Sequence, residues 1–82
     1  MRNRRLLALG RQIRVLREQR GLSQEGFAAE AGLDRGYYGG VERGERNVAA
    51  LNLIKIAAAL GVEVGRLFPS VAALRRLGGA SQ

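Results

Sequence analysis

The sequence predicts an all-α domain of five or six helices, on three observations. Apolar residues recur three and four positions apart at Leu6, Leu9, Ile13 and Leu16, and again at Ala50, Leu53, Ile56, Ala57 and Leu60, the period of one helix face. Gly21, Gly32, Gly44 and Gly61 each follow such a segment, where helices commonly stop. No stretch alternates apolar and polar residues over the length of a strand.

The elements follow in order. A first helix runs from Leu6 to Arg20 and ends at Gly21, with Leu22 as an anchor behind it. Ser23 is a good N-cap for a second helix. A capping box would place Glu or Gln three residues later, where Gly26 stands, so the box is incomplete. Phe27, Ala28 and Ala31 form its inward face. Gly32-Leu33 breaks it, and Asp34 caps a third helix reaching about Arg43. Tyr38 and Val41 face the core there, with Leu33 beneath, while Arg35 and Tyr37 point elsewhere. Glu45-Arg46-Asn47 is a polar connection. A fourth helix spans Val48 to Leu60, a short fifth Val62 to Phe68, and a last segment Val71 to Leu77, with Ala80 to Gln82 as a loose tail. This divides the chain into a basic arm or helix start at 1–8, a helix-turn-helix domain at 9–68, and a short C-terminal helix and tail at 69–82.

Composition narrows the functions. Eighty-two residues make one domain, which buries only about 60% of its unfolded surface, so dimerisation would add useful area. Fourteen basic residues against seven acidic ones give a net charge of +7, and all the basic residues but Lys55 are Arg. That balance favours a polyanionic partner, and Arg suits bidentate bonding to phosphate and guanine. The chain has no Cys and no His, which removes disulfides, thiolate metal sites and imidazole acid–base chemistry. No metal, cofactor or small-molecule ligand is expected. No nucleophile–base pair is visible, so no enzyme is expected either. No apolar run nears the roughly 20 residues that cross a bilayer. Residues 1–9 have the basic flank of a signal peptide but too short an apolar stretch, and a transit peptide fits little better. A cytoplasmic site is expected.

The decisive stretch is Leu22 to Asn47, two short helices joined by a tight turn at Gly32-Leu33. Small residues at Ala28 and Ala31 let the helices cross closely, and the outer face of the second can enter a major groove. The run GLSQEGFAAEAGLDRGYYGGVERGERN, Gly21 to Asn47, resembles the Xre/Cro-repressor type of helix-turn-helix protein, with a lambda-repressor-like fold. The resemblance extends over about residues 9 to 68. Within that family, Leu33-Asp34-Arg35, Tyr37 and Glu42 to Asn47 look most like the controller proteins of restriction–modification systems.

The resemblance implies roles. Ser23 and Gln24 would sit on the DNA backbone at the start of the second helix, with Gln24 bonding a phosphate and bracing the recognition helix. Arg35 would read a base, suiting guanine O6 and N7. Tyr37 would bond a phosphate or pack on a thymine methyl. Arg43, Arg46 and Asn47 would clamp the backbone. Arg17 and Glu42 match an internal salt bridge. The sequence departs from the family at Gly36, Gly39 and Gly40, where longer or polar side chains are usual. Either the backbone approaches DNA closely there, or these are exposed positions that have drifted. Arg2, Arg4 and Arg5 are either a disordered basic start or an arm for a minor groove. Arg14 and Arg20 are either solvated or DNA-facing.

Leu51, Ile54 and Ala58 form a second apolar stripe on the fourth helix, off its core face. With Leu67, Val71 and Leu74 they would make an isologous dimer interface, unless the C-terminal segment folds over them. The expected function is a homodimeric, sequence-specific regulator on a pseudo-palindromic operator in double-stranded DNA, contacting or blocking RNA polymerase. Alternatives are the antitoxin of a toxin–antitoxin pair, a protein-interaction domain that kept the fold without DNA binding, and a membrane-surface peptide.

Overall fold

The computed structural model describes residues 3–78. Five α-helices and one 3-10 turn are joined by short loops, and no strand occurs among the described residues. They are α1 (Arg4–Gln19), α2 (Gln24–Ala31), α3 (Arg35–Glu42), α4 (Ala50–Leu60), the 3-10 turn Val64–Leu67, and α5 (Val71–Gly78).

Local chemistry sets the boundaries. Asn3 caps α1 by accepting from the backbone N–H of Arg5 and Leu6, so the first helix starts two residues before its apolar stripe. Arg4 and Arg5 are therefore helical and not part of a free arm, while Arg2 lies outside the described residues, as does the tail at 80–82. Ser23 caps α2 through Gly26 N–H and Asp34 caps α3 through Tyr37 N–H, as expected. The fourth helix starts at Ala50 and not at Val48, with Ala49 as an N-cap that makes no side-chain bond. Ala50, expected on the core face, is exposed.

One core unites α1 to α4 and the 3-10 turn. Ile13, Phe27, Tyr38, Val41, Ile56 and Leu67 are its largest fully enclosed members, and the rings of Phe27 and Tyr38 meet at 5.2 Å between centroids. Leu67 corrects the sequence reading: it is fully buried in this core and cannot form part of a dimer surface. The tight 3-10 turn aims it inward. α5 packs on α1, where Arg5 Nε donates to the carbonyl of Leu74 at 2.9 Å. The C-terminal helix thus lies against the first helix, and Leu51 and Ile54 on α4 remain exposed.

α1 crosses α3 at backbone contact. A Cβ added at Gly10 would strike the carbonyl oxygens of Val41 and Glu42. Just beyond, Gly44 has φ +75° and sits against the Cα of Leu7, so only glycine fits both its conformation and its space. This crossing holds the end of α3 against the body of the domain.

Candidate nucleic-acid interface

The third helix, α3, is anchored from beneath by a buried ion pair. Arg17 Nε donates to Glu42 Oε2 at 2.7 Å and its Nη2 to Oε1 at 3.0 Å, with the two side chains 9% and 2% exposed. The remaining guanidinium nitrogen, Nη1, donates to the carbonyl of Leu22 at 2.7 Å. Glu42 also accepts from the Tyr38 hydroxyl and, at 3.0 Å, from Gln24 Nε2. Each carboxylate oxygen therefore accepts twice, and one acid ties α1, α2 and α3 together. The Arg17–Glu42 pair expected from the resemblance is present.

The electrostatics follow from this network. Burial pushes the Glu42 carboxyl up, but the donors Arg17, Tyr38 and Gln24 together outweigh it and hold it below the ordinary value of 4.5. Burial, then the bond to Glu42, pushes the Tyr38 hydroxyl far up, so it stays protonated and donating. The bond to Glu42 likewise raises Arg17 despite its burial. A carboxyl with a depressed folded pKa contributes stability that is complete above its unfolded pKa and is lost as pH falls through the folded one. Melting temperature is therefore expected to fall on acidification below pH 4.5, and Glu42→Gln should flatten that acid limb. Thermal melts of both proteins across about pH 3 to 6 test this, and equal slopes would refute it.

Above this anchor lies a surface rich in hydrogen-bond donors. Arg35 and Gly36 are exposed in the first turn of α3. Ser23 begins α2, its hydroxyl oxygen accepting from Gly26 and its proton free to donate outward. Gln24 follows, one amide proton given to Glu42. Its position braces α3, and the amide has a second proton to donate. Arg43 is exposed and pairs with Glu45 at 3.2 Å. Arg46 and Asn47 are exposed in the loop before α4.

Tyr37 is half-buried and joins α3 to α4. Its hydroxyl accepts from Asn52 Nδ2 at 3.1 Å, leaving its own proton to donate, and the Arg46 guanidinium lies 5.7 Å from the ring centre. Asn52 was missed by the sequence reading, because nothing in a lone Asn inside a helix signals a partner 15 residues away. Gly39 and Gly40 are neither exposed drift nor bare backbone open to DNA. Both are buried: Arg43 and Gln24 cover Gly39, and Arg46 covers Gly40.

Arg14 and Arg20 are occupied within the chain. Arg14 pairs with Glu18 at 3.1 Å, while Arg20 lies 3.7 Å from Glu30 and also donates to the Ala59 carbonyl. Among the described residues, no group of acids could hold a metal ion, and no helix is long and apolar enough to cross a membrane.

Known proteins share both the sequence and this geometry. Control protein C.MunI from a Mycoplasma species is 44% identical over 66 residues, which is 79% of this chain and 89% of that protein. The crystal structure of the restriction-modification controller protein C.AhdI from Aeromonas hydrophila superposes with a TM-score of 0.75 at 52% identity, covering 77% of this chain and 96% of that one. The hypothetical transcription factor NHTF from Neisseria superposes with a TM-score of 0.77 at 39% identity, over 90% of this chain and 83% of that one. The helix-turn-helix family profile matches residues 13–67, from the middle of α1 through the 3-10 turn. With its capped α2 and α3 and the Gly32 turn between them, the chain belongs to the helix-turn-helix family.

Proposed function

We propose that this helix-turn-helix DNA-binding regulator, which is not an enzyme, acts as a homodimer on a pseudo-palindromic operator. We further propose that it is the controller of a restriction–modification system, the role named for C.AhdI. One observation carries the DNA reading. Exposed Arg35 opens α3, Gln24 and Arg43 meet over Gly39 further along it, and exposed Arg46 lies over Gly40 beside Tyr37. Side-chain donors for phosphate gathered along the same helix as a base reader are what docking a recognition helix in a major groove needs. With Gly36, Gly39 and Gly40 adding no side chains, Arg35 dominates direct readout and DNA shape supplies the rest.

Dimerisation is supported by the uncovered stripe on α4. Leu51 is 63% and Ile54 52% exposed, with Ala58 exposed beside them. Apolar area of this kind on a small domain favours a second copy. Val71, on α5, is also 65% exposed. A dimer on its operator regulates by blocking RNA polymerase or by contacting it, and works in the bacterial cytoplasm at the nucleoid.

The test is selection from randomised duplex DNA at near-physiological salt. The expected result is a palindrome whose half-sites lie about 10 base pairs apart, one helical turn. Salt-sensitive binding with no enriched sequence would overturn the operator reading. Arg35→Ala is expected to lose about 1–3 kcal/mol on the selected site and to relax preference at one or two base pairs. An unchanged profile would remove Arg35 from base reading.

A further inference from the structure

Three of the eight residues of α3 are glycine, the poorest helix former after proline. Their backbone does not require it, since the described glycines with positive φ all lie elsewhere. What sets Gly40 apart is the side chain lying on it. A Cβ there would stand 3.1 Å from Arg46 Nε and 3.2 Å from Arg46 Cγ. Gly40 is on the side of α3 turned away from the core residues Tyr38 and Val41, yet it is buried, because Arg46 covers it. Arg46 belongs to the following loop. Its side chain runs back along the recognition helix and ends beside the Tyr37 ring, which Asn52 holds at the hydroxyl. Gly39 repeats the arrangement: a Cβ there would stand 3.0 Å from Arg43 Nη1 and 3.2 Å from Gln24 Oε1.

We propose that Gly40 is a positioning residue for DNA recognition: its bare backbone is the seat on which Arg46 lies, and this places the guanidinium on the outer face of α3 beside Tyr37. The proposal rests on the DNA-binding reading above. Arg is a long side chain with much rotamer freedom, and ordering it before DNA arrives lowers the entropy lost on binding. A methyl group at position 40 crowds the seat, so the arginine has to give way. The helix itself gains from the change, since Ala is the better helix former and the crowded atoms belong to an exposed side chain that can move.

Stability and binding should therefore respond in opposite directions. Gly40→Ala is expected to melt no lower than wild type, yet to bind the selected duplex about 5- to 20-fold more weakly. In an Arg46→Ala background the same substitution should change affinity by less than about twofold. In the free protein, the Tyr37 ring should shift the Arg46 side-chain protons in the NMR spectrum, and Gly40→Ala should remove that shift. Wild-type affinity for Gly40→Ala would overturn the proposal, as would an undiminished loss in the Arg46→Ala background, which would mean the helix backbone approaches DNA directly. A lowered melting temperature would make Gly40 a packing residue. Unmoved Arg46 protons would overturn the seat itself. A wild-type chain that binds no duplex, with the Arg46 protons still responding, would overturn the operator reading and the recognition role while leaving the seat in place.

Discussion

Replacing Glu42 by Ala is expected to remove about 3–5 kcal/mol of stability, the cost of leaving a buried charge without its partner. Two Arg17 nitrogens, the Tyr38 hydroxyl and the Gln24 amide would lose their acceptor together. Arg17 would stay charged in a site where its side chain is 9% exposed. A domain of this size has about 4–12 kcal/mol in all, so the variant should be marginal at 37 °C. Removing both charges with apolar residues of similar volume should cost far less, since the penalty comes from the orphaned partner. Chemical denaturation of Glu42→Ala, Arg17→Ala and an Arg17→Met/Glu42→Leu double variant provides the measurement. A loss below about 1 kcal/mol for Glu42→Ala would show that water replaces the carboxylate and that the pair is not the anchor of α3.

Gly10→Ala should also destabilise, against what helix propensity says. In mid-helix that exchange normally gains about 1 kcal/mol. Here the new Cβ meets the carbonyl oxygens of Val41 and Glu42, which are backbone atoms and cannot rotate aside. Overpacking of a tight contact costs about 1–3 kcal/mol, sometimes more, and backbone-on-backbone crowding belongs at the upper end. A net loss of about 2 kcal/mol is expected. The carbonyls in question close α3, so the helix must shift to make room and operator affinity should fall with stability. Gly65→Ala is the control, with nothing within 4 Å of the added atom. A Gly10→Ala protein that melts above wild type would mean that α1 and α3 slide apart without cost.

Much of the architecture was legible from neighbouring residues. Ser23 and Asp34 cap the helices they precede because a short polar side chain reaches an N–H three residues on. Gly32 and Gly61 end α2 and α4 in the left-handed conformation, which glycine adopts without steric penalty. The period of Leu9, Ile13 and Leu16 identified the buried face of α1, and Tyr38 fell in the core as its spacing from Val41 required. The start of α1 was missed because Asn3 lies among arginines that read as a loose basic segment. The fifth element proved to be a single 3-10 turn, and its different pitch is why Leu67 points inward and not to a partner.

The candidate site divides in the same way. Gln24, Arg35, Tyr37, Arg43 and Arg46 could be singled out only through the resemblance to the family, by matching their offsets from the turn. What those side chains rest on could not. Asn52 meets Tyr37 across 15 residues, Arg46 folds back onto Gly40, and Glu42 collects donors from three helices. The glycines of α3 looked from sequence like either a gap for DNA or drift, and packing gave a third answer. The sequence by itself determined the succession of helices, the caps of α2 and α3, the turn between them and the family, because each depends on residues within a few positions of one another. Only the tertiary structure decided which distant side chains meet, that α5 lies on α1, and that Gly10, Gly39 and Gly40 are spaces kept for other atoms. Those outcomes depend on how whole helices cross, and the spacing of residues along the chain does not encode that.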